Sequence, residues 1–427
     1  MVNKKDFSLY ENRRKELVER IEKEAKGKYS ILLFANFEDD RAFIQESNFY
    51  YFTGLQEPGL IVKIDSDGTQ KLFAPDYGIS REKWVDTAFV IEEKNASTFG
   101  FDSIEKAGHP CAGYQIQPFS PKVNYEMIVT EIKKEVDDNT TIFTFVPNYN
   151  KGSLAQRILL ARFMDWIPKL ATALKDCSAV AAGMRQKKSK EEIEAIFEAI
   201  AITLGAQELA AHAIAPKVNE AEIQAMIEYG MTVNHSYPAF PSIVASGKNG
   251  TVLHYTRNDA EMQKGDLVVI DIGASYKGYA SDITRTYPVS GVFTKRQKEL
   301  YEIVLALQEY IASIAAVGYY LGNSKHPEKS LHHLAIAYLE ERGYGQYMPH
   351  GIGHYLGLEV HDVGIYEEPL KIGDVFTIEP GIYIPEENIG IRIEDDYWLT
   401  EKGLICLSED IPKKVSDIEK FMVEEDK

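Results

Sequence analysis

A chain of 427 residues, 44% hydrophobic and 26% charged, has room for two to three domains at roughly 150 residues each, and its balance argues against long disorder. Its 65 acidic and 47 basic residues leave a net charge of −18. Such a surface repels phosphate backbones and anionic lipid, which speaks against nucleic-acid and membrane partners.

The first residues, Met1 to Tyr10, are charged and lack the apolar run of a secretory leader. Ser8 to Lys26 predicts a helix, with Leu9, Leu17, Val18 and Ile21 at near-helical spacing. Ser30–Phe37 reads as a buried strand, and the aromatic run Phe49–Gly54 as β-prone. Leu60–Ile64 and Gln70–Ala74 form a strand pair around a Ser66-Asp67-Gly68 turn. Helical pieces at Ile79–Asp86 and Tyr125–Val136, a strand at Thr141–Val146 and a long helix from Ser153 to about Leu174 complete an α/β N-terminal domain, placed at 1–175. Ser189 with Glu192 predicts a capping box opening a helix over Lys190–Ala215.

In the second domain, 176–427, a further helix covers Asn219–Tyr229 and strands cover Phe240–Ala245, Leu267–Ala274 and Tyr279–Val289. Helices follow over Thr294–Val317 and Lys329–Arg342. The end is strand-rich: Val375–Ile378, Gly381–Ile384, Ile389–Glu394 and Tyr397–Leu399. Grouped helices and strands predict an α+β fold. Cys111, Cys177 and Cys406 form no C-x-x-C pair and fit a reducing cytoplasm, and no apolar run reaches the about 18 residues of a spanning helix.

Carboxylates stand where buried strands are normally apolar. Asp271 interrupts the run LVVIDIGA, and Asp282 sits on the returning arm of a hairpin that turns at Tyr276-Lys277-Gly278. Glu379 ends the run VFTI. Period two puts Arg392 and Glu394 on one strand face. One such acid alone is ordinarily solvated or paired at a strand end. Several converging in one core repel each other and call for a divalent metal. Three histidines fall within His350–His361 among Gly351, Gly353 and Gly357, glycines that permit close backbone approach.

With these pieces in order, the chain resembles the pita-bread (creatinase/aminopeptidase-like) metallopeptidases and, within them, the Xaa-Pro aminopeptidases (aminopeptidase P). The matching segments are Asn249–Tyr255 (NGTVLHY), Asp271–Asp282 (DIGASYKGYASD), His350–Gly364 (HGIGHYLGLEVHDVG), Thr377–Tyr383 (TIEPGIY) and Gly390–Asp396 (GIRIEDD). Met184–Ile193 (MRQKKSKEEI) and, in the N-terminal half, Arg41–Leu55 (RAFIQESNFYYFTGL) with Glu57-Pro58 match as well. The resemblance implies two divalent ions on Asp271, Asp282, His354, Glu379 and Glu394, with Asp282 and Glu394 bridging. Mn²⁺ suits four carboxylates and an imidazole, with Zn²⁺ or Co²⁺ as substitutes. It implies a water activated by both ions attacking the carbonyl before proline. Glu379 relays the proton, His361 and His254 stabilise developing negative charge, His350 supports the ligands, and Arg392 holds nearby carboxylates. The substrate implied is a peptide with proline second, whose ring is held by His350, His361 and aromatics such as Tyr237, Tyr355 and Tyr366. A homodimer or homotetramer is also implied. One departure stands out: the family often has Trp-Gly-Arg in the N-terminal domain, and here Trp84 is followed by Val85-Asp86-Thr87.

Xaa-Pro dipeptidase (prolidase) shares fold and ligands and is the nearest alternative. The segment Gly353–Leu358 and the tail Ile411–Met422 look more like aminopeptidase P. Methionine aminopeptidase usually lacks so large an N-terminal domain. A metal-free creatinase-like hydrolase, or an inactive pita-bread binding module, would typically have lost ligands that are all present here.

Overall fold

The computed structural model describes residues 6–38, 43–77, 80–146 and 154–423. Arg41, Ala42, Ile79 and Ser153, each part of a sequence reading above, lie outside the described residues. The chain divides into two compact units, Met1–Ala182 and Gly183–Lys427.

The first unit is built on β1 (Tyr29–Phe34), β2 (Ile61–Asp65), β3 (Gln70–Ala74), β4 (Ser103–Lys106), β5 (Thr141–Thr144) and β6 (Leu174–Asp176). They form one mixed sheet in the order β4-β3-β2-β1-β5-β6. Its helices are α1 (Ser8–Glu22), α2 (Ser47–Thr53), α3 (Glu126–Asp137), α4 (Leu154–Trp166) and α5 (Leu170–Ala173). β1 is buried along its whole length and pairs parallel with β5, as the centre of a sheet covered on both faces does. The strand pair around Ser66-Asp67-Gly68 forms as read, in antiparallel register.

Three local readings are corrected. The aromatic run Phe49–Gly54 lies in helix α2 and its cap, not in a strand: Glu46 accepts the Phe49 N–H at 2.6 Å and Gly54 ends the helix at φ 65°. In so short a segment caps and burial outweigh β propensity. The single helix expected to reach Leu174 stops at Trp166, just before Pro168, and Leu174 joins the sheet edge as β6. The helical piece expected up to Asp86 is only a 3₁₀ turn, Arg81–Lys83.

α6 (Ser178–Gln186) contains the division between the units. Beyond it come α7 (Lys190–Ala213), α8 (Glu220–Val233), α9 (Lys295–Ile314), α10 (Leu331–Glu340) and α11 (Val415–Phe421). The strands are β7 (Tyr237–Pro238), β8 (Ile243–Ser246), β9 (Leu267–Ile272), β10 (Ala274–Tyr276), β11 (Tyr279–Ala280), β12 (Ile283–Pro288), β13 (Val375–Ile378), β14 (Gly381–Ile384), β15 (Ile389–Arg392), β16 (Asp395–Thr400) and β17 (Gly403–Cys406). They make small sheets ordered β11-β10-β7, β12-β9-β8, β13-β16-β17 and β14-β15. Grouped helices over antiparallel strands are the α+β pattern that the sequence predicts. The capping box of α7 is present: Glu192 donates its N–H to Ser189 Oγ and accepts the Ser189 N–H at 2.9 Å. A large core cluster joins Ala206, Ile227, Val268, Ile270, Leu307, Phe376 and Ile391 from helices and sheets alike, beside a smaller one of Ile243, Ala245, Tyr255 and Val269. No helix among the described residues is long and apolar enough to cross a membrane.

Candidate metal centre

Strand register assembles the acids. Lys277 (φ 49°) and Gly278 (φ 85°) make a two-residue hairpin turn with both central residues at positive φ, the form whose twist suits paired strands. That turn sets Asp271 on β9 opposite Thr284 on β12. Asp282 precedes Thr284 by two residues and so shares its face. Across the site, Thr377 donates its N–H to His354 O at 2.9 Å and Glu379 donates to Ile352 O at 2.8 Å. This zipper needs Gly353, because a Cβ there would stand 1.9 Å from Thr377 O. It lays His354 beside Glu379.

The donors converge. His354 Nε2 lies 3.3 Å from Asp282 Oδ2, 3.5 Å from Glu379 Oε1 and 4.0 Å from Glu394 Oε1. Asp282, His354 and Glu394 offer ligand atoms all within 4.8 Å of one another. Asp271 joins through Arg392, whose Nη2 donates to Asp271 Oδ2 at 2.5 Å. Asp271 Oδ1, Asp282 Oδ1 and Glu394 Oε1 are buried and have no hydrogen-bond partner among the described residues. Buried, unpaired carboxylate oxygens are costly. Burial together with Glu394 and Asp271 holds Asp282 well above the usual carboxylate range. Burial, Glu379 and Asp271 do the same to Glu394. Burial pushes Glu379 up to about 8, with Arg392 opposing and Asp271 adding. A divalent cation would reverse all three effects and occupy the orphaned oxygens, so the donor set fits a metal. Asp65, Glu131 and Glu135 of the first unit also cluster, but Lys63 Nζ already fills their centre, 2.6 Å from Glu135 and 2.9 Å from Glu131.

Around the donors lies a network that the sequence reading saw only in part. Arg392 Nη1 donates to Tyr383 OH at 2.7 Å, and its Nε to Thr284 Oγ at 3.2 Å. Thr284 in turn donates to Glu394 Oε2 at 2.7 Å. One guanidinium thus steadies two acids. His350 Nδ1 lies 2.8 Å from Gly351 O and its Nε2 3.0 Å from Tyr383 OH. Since Gly351 O only accepts, Nδ1 carries the proton and Nε2 accepts from Tyr383. Burial and Arg392 pull His350 down to about 4, so the ring is neutral near pH 7. Thr284 and Tyr383 were missed; hydroxyl and aromatic residues are ordinary in strands, and only their register opposite Asp271 and Gly390 marks them. Arg392→Lys is expected to weaken divalent-metal affinity by about 10–100-fold in a calorimetric titration, because an ammonium cannot fork to three partners.

The remaining residues are placed as follows. The His361 ring packs edge-on against His354 at 4.2 Å and is exposed. Its neighbour Asp362 is buried and clamped by Arg185 and by Lys188 Nζ at 3.0 Å, cations supplied by the Met184–Ile193 segment. Burial opposes the ionised form, but those two cations outweigh it and hold Asp362 below the usual carboxylate range. His254 is not brought to the acids by any hydrogen bond among the described residues; it is exposed on the loop after the 3₁₀ turn Gly247–Thr251. Of the aromatics expected around a proline ring, Tyr355 is fully buried core, while Tyr237 and Tyr366 reach solvent.

Residues 194–401 match metallopeptidase family M24, and residues 10–109 match the aminopeptidase P, N-terminal domain. The chain is similar to the Xaa-Pro aminopeptidase of Escherichia coli (strain K12), 32% identical over 97% of both chains. It is also similar to the Xaa-Pro dipeptidase of Pyrococcus furiosus, 35% identical over 75% of this chain and 93% of that one. Its structure resembles that of Zn-substituted E. coli aminopeptidase P in complex with product, with TM-score 0.79, 28% identity and coverage of 97% and 98%. Full-length similarity of sequence and structure, on a donor set suited to divalent metal, places this chain in metallopeptidase family M24, with an N-terminal domain of the aminopeptidase P type.

Proposed function

We propose that this protein is an Xaa-Pro aminopeptidase, hydrolysing the bond between an N-terminal residue and a following proline. The observation that carries this reading is the convergence of Asp282, His354 and Glu394 within 4.8 Å, with buried carboxylate oxygens left unpaired. In this reading 176–427 is the catalytic domain and 1–175 the N-terminal domain. Asp271, Asp282, His354, Glu379 and Glu394 hold two divalent ions, with Mn²⁺ preferred by the oxygen-rich donor set. Bound there, such ions would supply Lewis acidity and lower the proton affinity of an attacking water.

The chain's own groups do the rest. Glu379, 3.5 Å from His354, takes the proton from the attacking water and passes it to the departing proline nitrogen. That nitrogen carries no N–H in the substrate, so recognition rests on the carbonyl and the free amino terminus. His361 and His254 donate to the carbonyl oxygen as it gains charge. Neutral His350, steadied by Tyr383, lines the site 3.7 Å from Glu379. Arg392 holds Asp271. His361→Ala is expected to lower kcat about 100-fold with little change in KM, since the contact forms as charge develops.

A cytoplasmic location belongs to the same reading, and so does a homodimer or homotetramer, as the resemblance implies. Xaa-Pro dipeptidase is the second reading, favoured by the Pyrococcus relative. The deciding assay compares Xaa-Pro with Xaa-Pro-Yaa peptides on chelated and Mn²⁺-restored protein. Cleavage of the longer peptides only after restoration supports the proposal. Cleavage of dipeptides alone selects the second reading, and equal inertness of both preparations on every peptide overturns both.

A further inference from the structure

Glu220 opens α8 and is fully buried, yet among the described residues no lysine or arginine pairs with it. Five neutral donors surround it instead. Oε1 accepts from the Ser246 N–H and hydroxyl, each at 2.7 Å, and from Asn249 Nδ2 at 3.1 Å. Oε2 accepts from Tyr255 OH at 2.9 Å, a hydroxyl that also lies 3.1 Å from Asp259 Oδ1, and from the Ala260 N–H at 3.0 Å. A carboxylate has about four lone-pair sites, so this one is saturated. All five donors belong to one segment, Ser246–Ala260. Within it His254 stands next to the anchored Tyr255, its own side chain exposed. The same segment rests on the metal-centre strand. Gly250 and Gly390 meet backbone to backbone, so closely that a Cβ on Gly390 would stand 1.8 Å from Gly250 O, and β15 carries Arg392 two residues on.

We propose that Glu220 is a positioning residue for His254. Its carboxylate gathers the Ser246–Ala260 segment from behind, and this fixes the loop on which His254 faces the substrate carbonyl. A mere filler would not gather five donors onto one side chain, and a buried polar group whose acceptor sites are all used holds its partners in place. The inference rests on the role given to His254 above.

The test is a double-mutant cycle. Tyr255→Phe removes a single donor beside His254, and Glu220→Gln replaces one acceptor oxygen with an amide that faces donors. Each is combined with His254→Ala, and kcat and KM on an Xaa-Pro-Yaa peptide are measured per mole of folded, metal-loaded protein. Tyr255→Phe is expected to lower kcat about tenfold in the native background and less than twofold beside His254→Ala, because coupled residues do not add. Equal losses in both backgrounds, or no loss in the native one, overturn the positioning role. If His254→Ala alone keeps native kcat/KM, the role of His254 falls and this inference with it, while the peptidase reading stands. Should Glu220→Gln fail to fold, Tyr255→Phe carries the test alone.

Discussion

Glu394→Gln is expected to lose bound metal and peptidase activity together, with kcat down by roughly 10³-fold or more. Glu394 is 1% exposed, its Oε2 already takes the Thr284 hydroxyl, and its Oε1 points unpaired toward His354. An amide keeps the shape but loses the charge, and one of its two sites becomes a donor. It would therefore hold a cation poorly. Elemental analysis after dialysis and a peptide assay on the same sample check this, and Asp282→Asn is expected to behave alike. Retained metal and activity in either variant would contradict the ligand role proposed for these carboxylates. Glu379→Gln should separate the two readouts, losing activity more than metal, because its carboxylate is the proposed proton relay as well as a ligand.

Stripped of metal, the protein is expected to become less stable as pH rises from about 5 to 8, while the loaded protein is not. Glu379 has an ordinary value of 4.5 and is pushed up to about 8 by burial. Between those values the folded state binds the proton that the unfolded chain releases. Stability is therefore full below 4.5 and falls as pH climbs through the folded value. Asp282 and Glu394 are raised in the same direction and add to the loss. Several kcal/mol would shift the melting temperature by roughly 10 °C for a domain of this size. The Glu379 side chain is 17% exposed, so water screens part of that cost. Melting curves of chelated and Mn²⁺-restored protein at pH 5, 6.5 and 8 give the answer; parallel curves would show that these acids carry no repulsion.

Much of the metal centre was legible because its chemistry violates strand patterning. An aspartate inside LVVIDIGA has no apolar reason to be there, and the Lys277-Gly278 turn fixes which residues face it. Gly353 could be read as a close-approach residue, and the structure gives the contact it permits, the Thr377 carbonyl. What could not be read follows from register and burial. Thr284 and Tyr383 look like any strand residues until pairing sets them beside Glu394 and Arg392. Glu220 looks like an acid in the first turn of an amphipathic helix, where exposure is the norm, and only the folded loop above it explains its burial. The helix at Ser47–Thr53 escaped for a related reason. Five consecutive buried side chains carry no period, so neither helix nor strand is written in them.

The five candidate ligands come from separate stretches, and three of them, His354, Glu379 and Glu394, follow the first two by more than a helix-rich insertion containing α9 and α10. A ribosome making this chain releases Asp271 and Asp282 long before their partners exist. An ion captured then would meet two solvated acids on an unfinished hairpin and leave again. With these residues as ligands, loading would wait until the strands carrying Glu379 and Glu394 have folded onto the hairpin, so metal occupancy would report that this domain has folded.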